Sequence, residues 1–252
     1  MIDAHCHLEQ KNYSKERGKI IEQCKRELNA VVTCSAHPDD FNLTLEISKE
    51  NPRFVYCTAG IHPEYIKDLS EEQISRAIKE IGKRRNLLVG IGEVGLDYYW
   101  IKEEEWREKQ KVLFRRMIQL SKDLNLPLII HSRDAREDTM DILEEEGMKG
   151  KKVLMHLFTD REYLQRVIKN DWFISIGPNI AKSKDRMKIA RDMPLNRIML
   201  ETDSPWFAQE GQKDGVPTNV KIACEKIAEA KKINALEVER QTDLNAVGFF
   251  GL

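Results

Sequence analysis

The sequence predicts an α/β chain folded as a single (β/α)8 barrel over residues 1–252. Three observations predict it. Eight short apolar runs recur along the chain, each followed by a helical segment. The runs are apolar nearly throughout rather than alternating, the pattern of parallel strands buried on both faces. The length of 252 residues is that at which eight strand–helix units make one barrel. An open doubly wound sheet is the alternative built from the same parts. No linker, low-complexity stretch or solenoid-period repeat divides the chain.

The first strand is Met1-Ile2-Asp3-Ala4-His5-Cys6-His7. Side chains alternate along a strand, so His5 and His7 point one way and Cys6 the other. This start leaves no room for a signal peptide. A helix is expected over 14–29, with Ile20, Ile21, Cys24 and Leu28 at helical spacing, then a buried strand Ala30–Ser35. Pro38 to Glu50 reads as helix with Phe41, Leu45 and Ile47 inward, and Phe54–Thr58 as the third strand, running into Gly60-Ile61-His62-Pro63. Ser70 and Gln73 form a capping box for a helix through Ile74, Ile78 and Ile81. The fourth strand is Leu87–Ile91, ending in Gly92-Glu93-Val94-Gly95-Leu96-Asp97.

A long helix over 103–124 carries Trp106, Leu113, Met117, Leu120 and Leu124 on one stripe. The fifth strand, Pro127–Ile130, ends in His131. Asp134 and Glu137 are expected to cap the next helix, which stops near Gly147. The sixth strand, Val153–Met155, ends in His156, and Asp160 is expected to cap a short helix bearing Leu164, Val167 and Ile168. The seventh strand is Trp172–Ile176, with a helix over 182–191 behind it. The eighth, Arg197–Leu200, ends in Glu201-Thr202-Asp203. Two helical stretches close the chain, the last opened by Asn234 and Glu237.

A formal net charge of −1 argues against a protein that coats duplex DNA, which needs many phosphate contacts. It leaves room for an enzyme that grips one or two phosphates through metal ions. No run approaches the roughly 20 apolar residues of a transmembrane helix, so no membrane partner is expected. The five cysteines, Cys6, Cys24, Cys34, Cys57 and Cys224, are odd in number, widely spaced and without a CxxC pair. They predict reduced thiols and a cytoplasmic setting.

In a barrel of this kind the active site lies where the strands end. Five strand ends here carry metal-ligand side chains: His5 and His7, Glu93, His131, His156 and Asp203. Any one has a plain structural reading: a core histidine for His131, a loop carboxylate for Glu93, a turn cap for Asp203. Their joint placement at the same end of successive strands predicts a metal site. Histidine with carboxylate suits zinc, manganese or iron, while magnesium would lean on the carboxylates. Six ligands exceed the need of one tetrahedral ion, and Glu93 could bridge two ions about 3.5–4 Å apart.

The segments Asp3-Ala4-His5-Cys6-His7-Leu8, Gly60-Ile61-His62-Pro63, Gly92-Glu93-Val94-Gly95-Leu96-Asp97-Tyr98-Tyr99, His131-Ser132-Arg133-Asp134-Ala135, His156-Leu157-Phe158 and Glu201-Thr202-Asp203-Ser204-Pro205, in this order, resemble the TatD family of metal-dependent deoxyribonucleases, amidohydrolase-like barrels. The resemblance covers nearly the whole chain. It implies a two-metal hydrolase of DNA ends, 3′-5′ exonuclease-like, with two divalent ions (Mg, Mn or Zn). It implies one ion held by His5, His7, Glu93 and Asp203 and another by Glu93, His131 and His156.

The sequence departs from the family pattern in two places. His156 is followed by Leu157-Phe158-Thr159-Asp160, where many members have Cys after the histidine. Trp206 to Pro217 holds Glu210, Lys213 and Asp214 and no arginine, where the family often has a basic loop. A His37-Pro38-Asp39-Asp40 segment resembles a deacetylase zinc motif, but that family's later histidines have no match here. Pro38 opening a helix is the simpler reading. Strand four ends in Glu93 rather than the lysine of several related barrels, which disfavours a dihydroorotase- or phosphotriesterase-like site.

The expected reaction is hydrolysis of a phosphodiester in single-stranded or end-exposed DNA. Asp203 is the expected proton acceptor and Glu93 the bridge, while His62 and Arg133 are candidates to hold phosphate. Glu201 is expected either behind a ligand or at the substrate's 3′ end. Tyr98, Tyr99 and Trp206 are candidates for base stacking, against the plainer reading of packing. Two other readings share the same residues: an acyl-ester hydrolase such as a D-aminoacyl-tRNA deacylase, and a metal-stabilised binding barrel without turnover.

Overall fold

The structure, a computed structural model, describes residues 1–252. Eight strands form one all-parallel sheet in chain order: β1 Ile2–Cys6, β2 Ala30–Ser35, β3 Val55–Ala59, β4 Gly90–Asp97, β5 Leu128–Arg133, β6 Val153–Met155, β7 Phe173–Ile176 and β8 Ile198–Leu200. Between and after them run α1 Arg17–Glu27, α2 Phe41–Glu50, α3 Glu71–Lys83, α4 Glu104–Leu124, α5 Arg136–Glu145, α6 Leu164–Lys169, α7 Lys184–Asp192, α8 Val220–Lys231 and α9 Ala235–Phe250. Beyond the end of β8, Asp203 N–H donates to the His5 carbonyl (2.9 Å) and His7 N–H to that of Ser204 (2.7 Å), which brings β8 against β1. The (β/α)8 barrel, rather than the open sheet, is therefore the fold.

The core has two layers. The larger lies between the strands and the helices around them. The smaller is the barrel interior, where Ile2, Ala4, Ala30, Val32, Ile129, Leu154 and Met199 meet Phe249 and Phe250 from the end of α9. Period-two alternation carries the interior face to the candidate ligands, Ile129 to His131 and Leu154 to His156, and on β8 from Met199 to Glu201, which stands behind His156.

Two strands break that alternation where a candidate ligand sits. The register of β1 against β2 shifts between Asp3 and Cys6, and that of β4 against β5 between Ile91 and Val94. The first shift places His5 and His7 on the same side as Ile2 and Ala4. The second frames Glu93. Such irregularities re-aim a side chain at the cost of a ladder position.

Several local expectations need correction. The fourth strand begins at Gly90 and runs to Asp97, while Leu87 belongs to a 3-10 turn, 59% exposed, and Leu88 follows it. Asp134 and Glu137 do not cap α5: its first turn has no side-chain cap, and the two acids pair instead with Arg136 (3.1 Å) and Arg166 (3.2 Å). Asp160 precedes a 3-10 turn without capping it and forms an ion pair with Arg136. The helix expected from Ser14 starts at Arg17. The Ser70–Gln73 capping box is present, and Asn234 accepts from the Leu236 N–H at 2.8 Å. All five cysteines are buried and free, and no helix is long and apolar enough to cross a membrane.

Candidate metal centre

All six expected ligands meet at the mouth where the strands end. His5 Nε2 and His7 Nε2 are 3.2 Å apart. Asp203 Oδ1 lies 3.3 Å from His7 Nε2 and 3.7 Å from His5 Nε2, and Glu93 Oε2 lies 3.4 and 3.7 Å from His5 and His7. Ligands about 2.1 Å from one tetrahedral ion are about 3.4 Å from each other, so His5, His7 and Asp203 fit a common cation, with Glu93 Oε2 beside the two histidines. The other carboxylate oxygen, Glu93 Oε1, lies 2.8 Å from His131 Nδ1 and 3.0 Å from His156 Nε2. Oε2 of Glu93 thus faces His5 and His7, and Oε1 faces His131 and His156, with His62 Nε2 farther off at 3.6 Å. The two sides are not sharply divided, since His5, Glu93 and His156 also form a tight group, whereas the His131 and His156 rings lie 6.0 Å apart, centroid to centroid.

Buried acceptors fix which nitrogen of three of these rings carries a proton. His7 Nδ1 faces the Cys34 carbonyl (3.1 Å) and Glu9 Oε1 (3.3 Å). His156 Nδ1 faces Glu201 Oε2 (3.2 Å), and His131 Nε2 faces Asp97 Oδ2 (2.8 Å). In each case the proton belongs on the outer nitrogen, and the lone pair of the other points into the cluster. Carboxylates behind ligating histidines are the usual means of orienting a ring and raising its basicity.

The same acids make the site hungry for positive charge. Burial alone would lower the histidines, but hydrogen bonds to Asp203 and Glu9 hold His7 well above its ordinary value. Glu93 and Glu201 do the same for His156, and Asp97 with Glu93 raise His131. Burial pushes the Glu93 carboxyl up, yet the neighbouring imidazoles, His156 first, hold it well below the carboxylate range. The protein carries protons where cations would sit, and the residues fit divalent ions.

His62 behaves in the opposite way. Its Nδ1 accepts from the Glu64 N–H at 3.2 Å, as the cap of a 3-10 turn begun by Pro63. Burial and the neighbouring His131 depress its pKa to about 3, so the ring is neutral. With Nδ1 accepting, the proton is on Nε2, which lies 3.6 Å from Glu93 Oε1. His62 therefore offers a donor, not a lone pair. That argues against reading the close His62–Asp97–His131 group as a further metal site.

Arg133 ends β5 with its guanidinium 3.8 Å above the Tyr99 ring, and it makes no ion pair. Glu201, offered above as a substrate contact, is fully buried, accepting from Ser175 Oγ at 2.8 Å and facing His156. The structure puts it behind His156, not on the open side. Tyr98 is partly buried, with its hydroxyl on Asp138, whereas Tyr99 and Trp206 are exposed. His37 caps its own turn through Asp39 N–H and joins no ligand cluster.

Sequence reasoning gave no role to Asp97, Glu9 or Asp3. Glu9 stands two residues past His7 and Asp97 four past Glu93, spacings that alternation could have flagged. Asp3 accepts from Thr202 N–H (3.0 Å), Thr202 Oγ1 (2.6 Å) and His5 N–H (3.2 Å), tying β1 to the segment that carries Asp203.

Comparison with known proteins gives the family. Residues 2–251 match the family described as TatD related DNase. The chain is 33% identical to the human protein named deoxyribonuclease TATDN3, across 99% of this chain and 94% of that one. It is also 33% identical to the Bacillus subtilis protein named uncharacterized metal-dependent hydrolase YabD, across 99% and 98%. Among solved structures, the Escherichia coli TatD homologue YJJV superposes with a TM-score of 0.90 at 21% identity, over 100% of this chain and 98% of that one, a likeness of fold. The chain belongs to the TatD family of metal-dependent hydrolases.

Proposed function

We propose that this protein hydrolyses phosphodiester bonds at the ends of single-stranded DNA, removing nucleotides in the 3′-5′ direction, with two divalent ions in the centre described above. The observation that supports this reading is Glu93, whose two oxygens face different histidines, Oε2 toward His5 and His7 and Oε1 toward His131 and His156. The human relative's name as a deoxyribonuclease supports DNA as the substrate. Bound divalent ions would supply a water of lowered pKa and positive charge for the phosphoryl oxygens. His5, His7, Glu93 and Asp203 would hold one ion, and Glu93, His131 and His156 the other.

The protein's own groups do the rest. Asp203, the most open of the acids in the cluster, takes the proton of the attacking water. His62 Nε2–H donates to a phosphoryl oxygen, and being neutral at every working pH it does so without titrating. Arg133 meets the phosphate of the next nucleotide at the rim. A near-neutral net charge suits a grip on ends rather than on long stretches of backbone.

The test is digestion of 3′- and 5′-labelled single strands in Mg, Mn or Zn, with and without chelator. Progressive loss of the 3′ label, none with chelator and none for metal-retaining Asp203→Asn, is the expected outcome. Undiminished digestion by that variant overturns the role of Asp203. Hydrolysis of D-aminoacyl-tRNA but not of DNA favours the acyl-ester reading, and bound metal with neither activity favours a binding barrel.

A further inference from the structure

Four aromatic side chains stand exposed on this protein, and all four lie in two loops at the catalytic mouth. Tyr99 and Trp100 (43 and 57% exposed) follow β4, and Trp206 and Phe207 (48 and 41%) follow β8. Every other exposed large apolar residue is aliphatic. In the eight-strand order these loops stand on opposite sides of the mouth. Aromatic rings cost least when buried, so a pair left open on each side of the metal ligands calls for a partner.

The backbone beneath both pairs is fixed. Trp100 N–H donates to Asp97 Oδ1 at 2.8 Å, the same carboxylate whose other oxygen holds His131. Trp206 N–H donates to the Asp203 carbonyl at 3.0 Å, and the far end of the loop folds back, with Gly215 N–H on the Pro205 carbonyl at 2.8 Å and Tyr13 OH on the Gly215 carbonyl. That return needs glycine, because a Cβ at Gly215 would lie 2.2 Å from the Trp206 carbonyl oxygen. The loop backbones that carry the rings are thus held in place.

Charge accompanies only one of the pairs. Arg133 rests 3.8 Å over Tyr99 and 5.6 Å from Trp100, and Lys102 lies 5.2 Å from Tyr99. Neither cation has a carboxylate partner. Flat rings with free cations beside them match a strand of unpaired bases with its phosphates, since stacking accepts any base and the cations take the backbone.

We propose that Tyr99–Trp100 and Trp206–Phe207 are two nucleobase-stacking subsites flanking the metal centre, so that the protein selects unpaired bases rather than backbone charge alone. This rests on the phosphodiesterase reading above and names what that site recognises. The Trp206 loop, where the chain departs from the basic pattern of its family, would replace charge with stacking on that side.

The experiment compares binding of an octathymidylate and an abasic octamer of equal charge to the intact protein in chelator, read by fluorescence anisotropy and tryptophan quenching. Hydrolysis of thymidine 5′-p-nitrophenyl phosphate with Mn is followed in parallel. The base-bearing strand is expected to bind about a hundredfold more tightly, about tenfold from each of the two subsites, with quenching. Trp100→Ala and Trp206→Ala are each expected to reduce that preference by about tenfold while abasic binding stays unchanged, and Trp206→Phe to restore most of it. Equal binding of the two strands, binding of neither, or a preference untouched by both alanine variants overturns the proposal. So does a dimer in wild type that the alanine variants dissolve, since the rings would then serve an interface between copies. Mn-dependent hydrolysis without base preference refutes stacking alone, whereas base preference without hydrolysis leaves stacking and refutes the phosphodiesterase reading.

Discussion

The Asp97 carboxylate joins His131 to the aromatic loop: Oδ2 holds His131 Nε2 at 2.8 Å while Oδ1 accepts from the Trp100 N–H at 2.8 Å. A single side chain therefore orients a candidate ligand and fixes the loop beside it. Burial raises the Asp97 carboxyl, but the bond to His131 outweighs it and holds the group below its ordinary value.

Asp97→Asn tests that link. An amide has one acceptor oxygen and one donor group, so either His131 Nε2–H or Trp100 N–H then meets a donor. Lost orientation of a ligating histidine typically lowers metal affinity about 10–100-fold. Competition against a chelator with known affinity measures it. Unchanged affinity would remove Asp97 from the supporting shell.

The metal-free protein should lose stability as pH rises above about 6.5 and through the raised folded-state pKa values of three histidines. His7, His131 and His156 are raised above the unfolded value of about 6.5. A group raised in the folded state contributes stability that is complete below its unfolded pKa and fades as pH rises through the folded one. His62, depressed to about 3, acts below this window. Divalent ions compete with the same protons, so the rise in Tm on adding Mn or Zn should grow over the same range. At a concentration of about 100 Kd the stabilisation is about 2.7 kcal/mol, or about 5–10 °C for a chain of this size. Thermal melts at four pH values, with chelator and with metal, check both trends. A metal-free Tm that climbs through the window would contradict the assignment.

Gly95→Ala should damage both the fold and the site. Gly95 has φ +142°, and a Cβ there would lie 2.0 Å from the His131 carbonyl oxygen. Backbone must move, at an expense on the order of 2–4 kcal/mol, about 5–15 °C in Tm. Because His131 is on the strand displaced, metal affinity should fall too. A variant that melts like wild type would show that β4 and β5 can part without harm.

The same glycine explains which part of this protein could be read from its sequence. The clustering of the candidate ligands was legible because apolar runs mark where strands end, and four of six histidines fall there. The extent of β4 was not: its last eight residues include three glycines and two acids, needed for close approach to β5 and for the site, so its apolar signal is weak. The Leu87–Leu88 pair drew the expected strand too early for the same reason. The caps expected of Asp134 and Asp160 failed because Arg136, distant neither in space nor in charge from both, takes their carboxylates. Glu9 and Asp97 have roles set by ring orientation across strands, which local patterns do not carry.

Glu201→Gln separates two effects that act in opposite directions on metal affinity. Glu201 raises His156, after Glu93, and accepts from its Nδ1 through Oε2. Glutamine can keep that hydrogen bond with its oxygen, so the ring should stay in place, but the charge is gone and the ligand is less basic. The weaker basicity lowers affinity at any pH. The lower His156 pKa also leaves fewer protons for the metal to displace, which raises affinity where wild-type His156 is protonated. At alkaline pH, where wild-type His156 has lost its proton, the first effect stands alone, and the variant should bind about tenfold more weakly. At pH 6 the second offsets it, and the deficit should shrink to a fewfold. Metal titrations at both pH values give the ratio. A deficit that is constant with pH would mean that Glu201 acts on His156 through position alone, and one that widens at pH 6 would mean the proton on His156 is not held by Glu201.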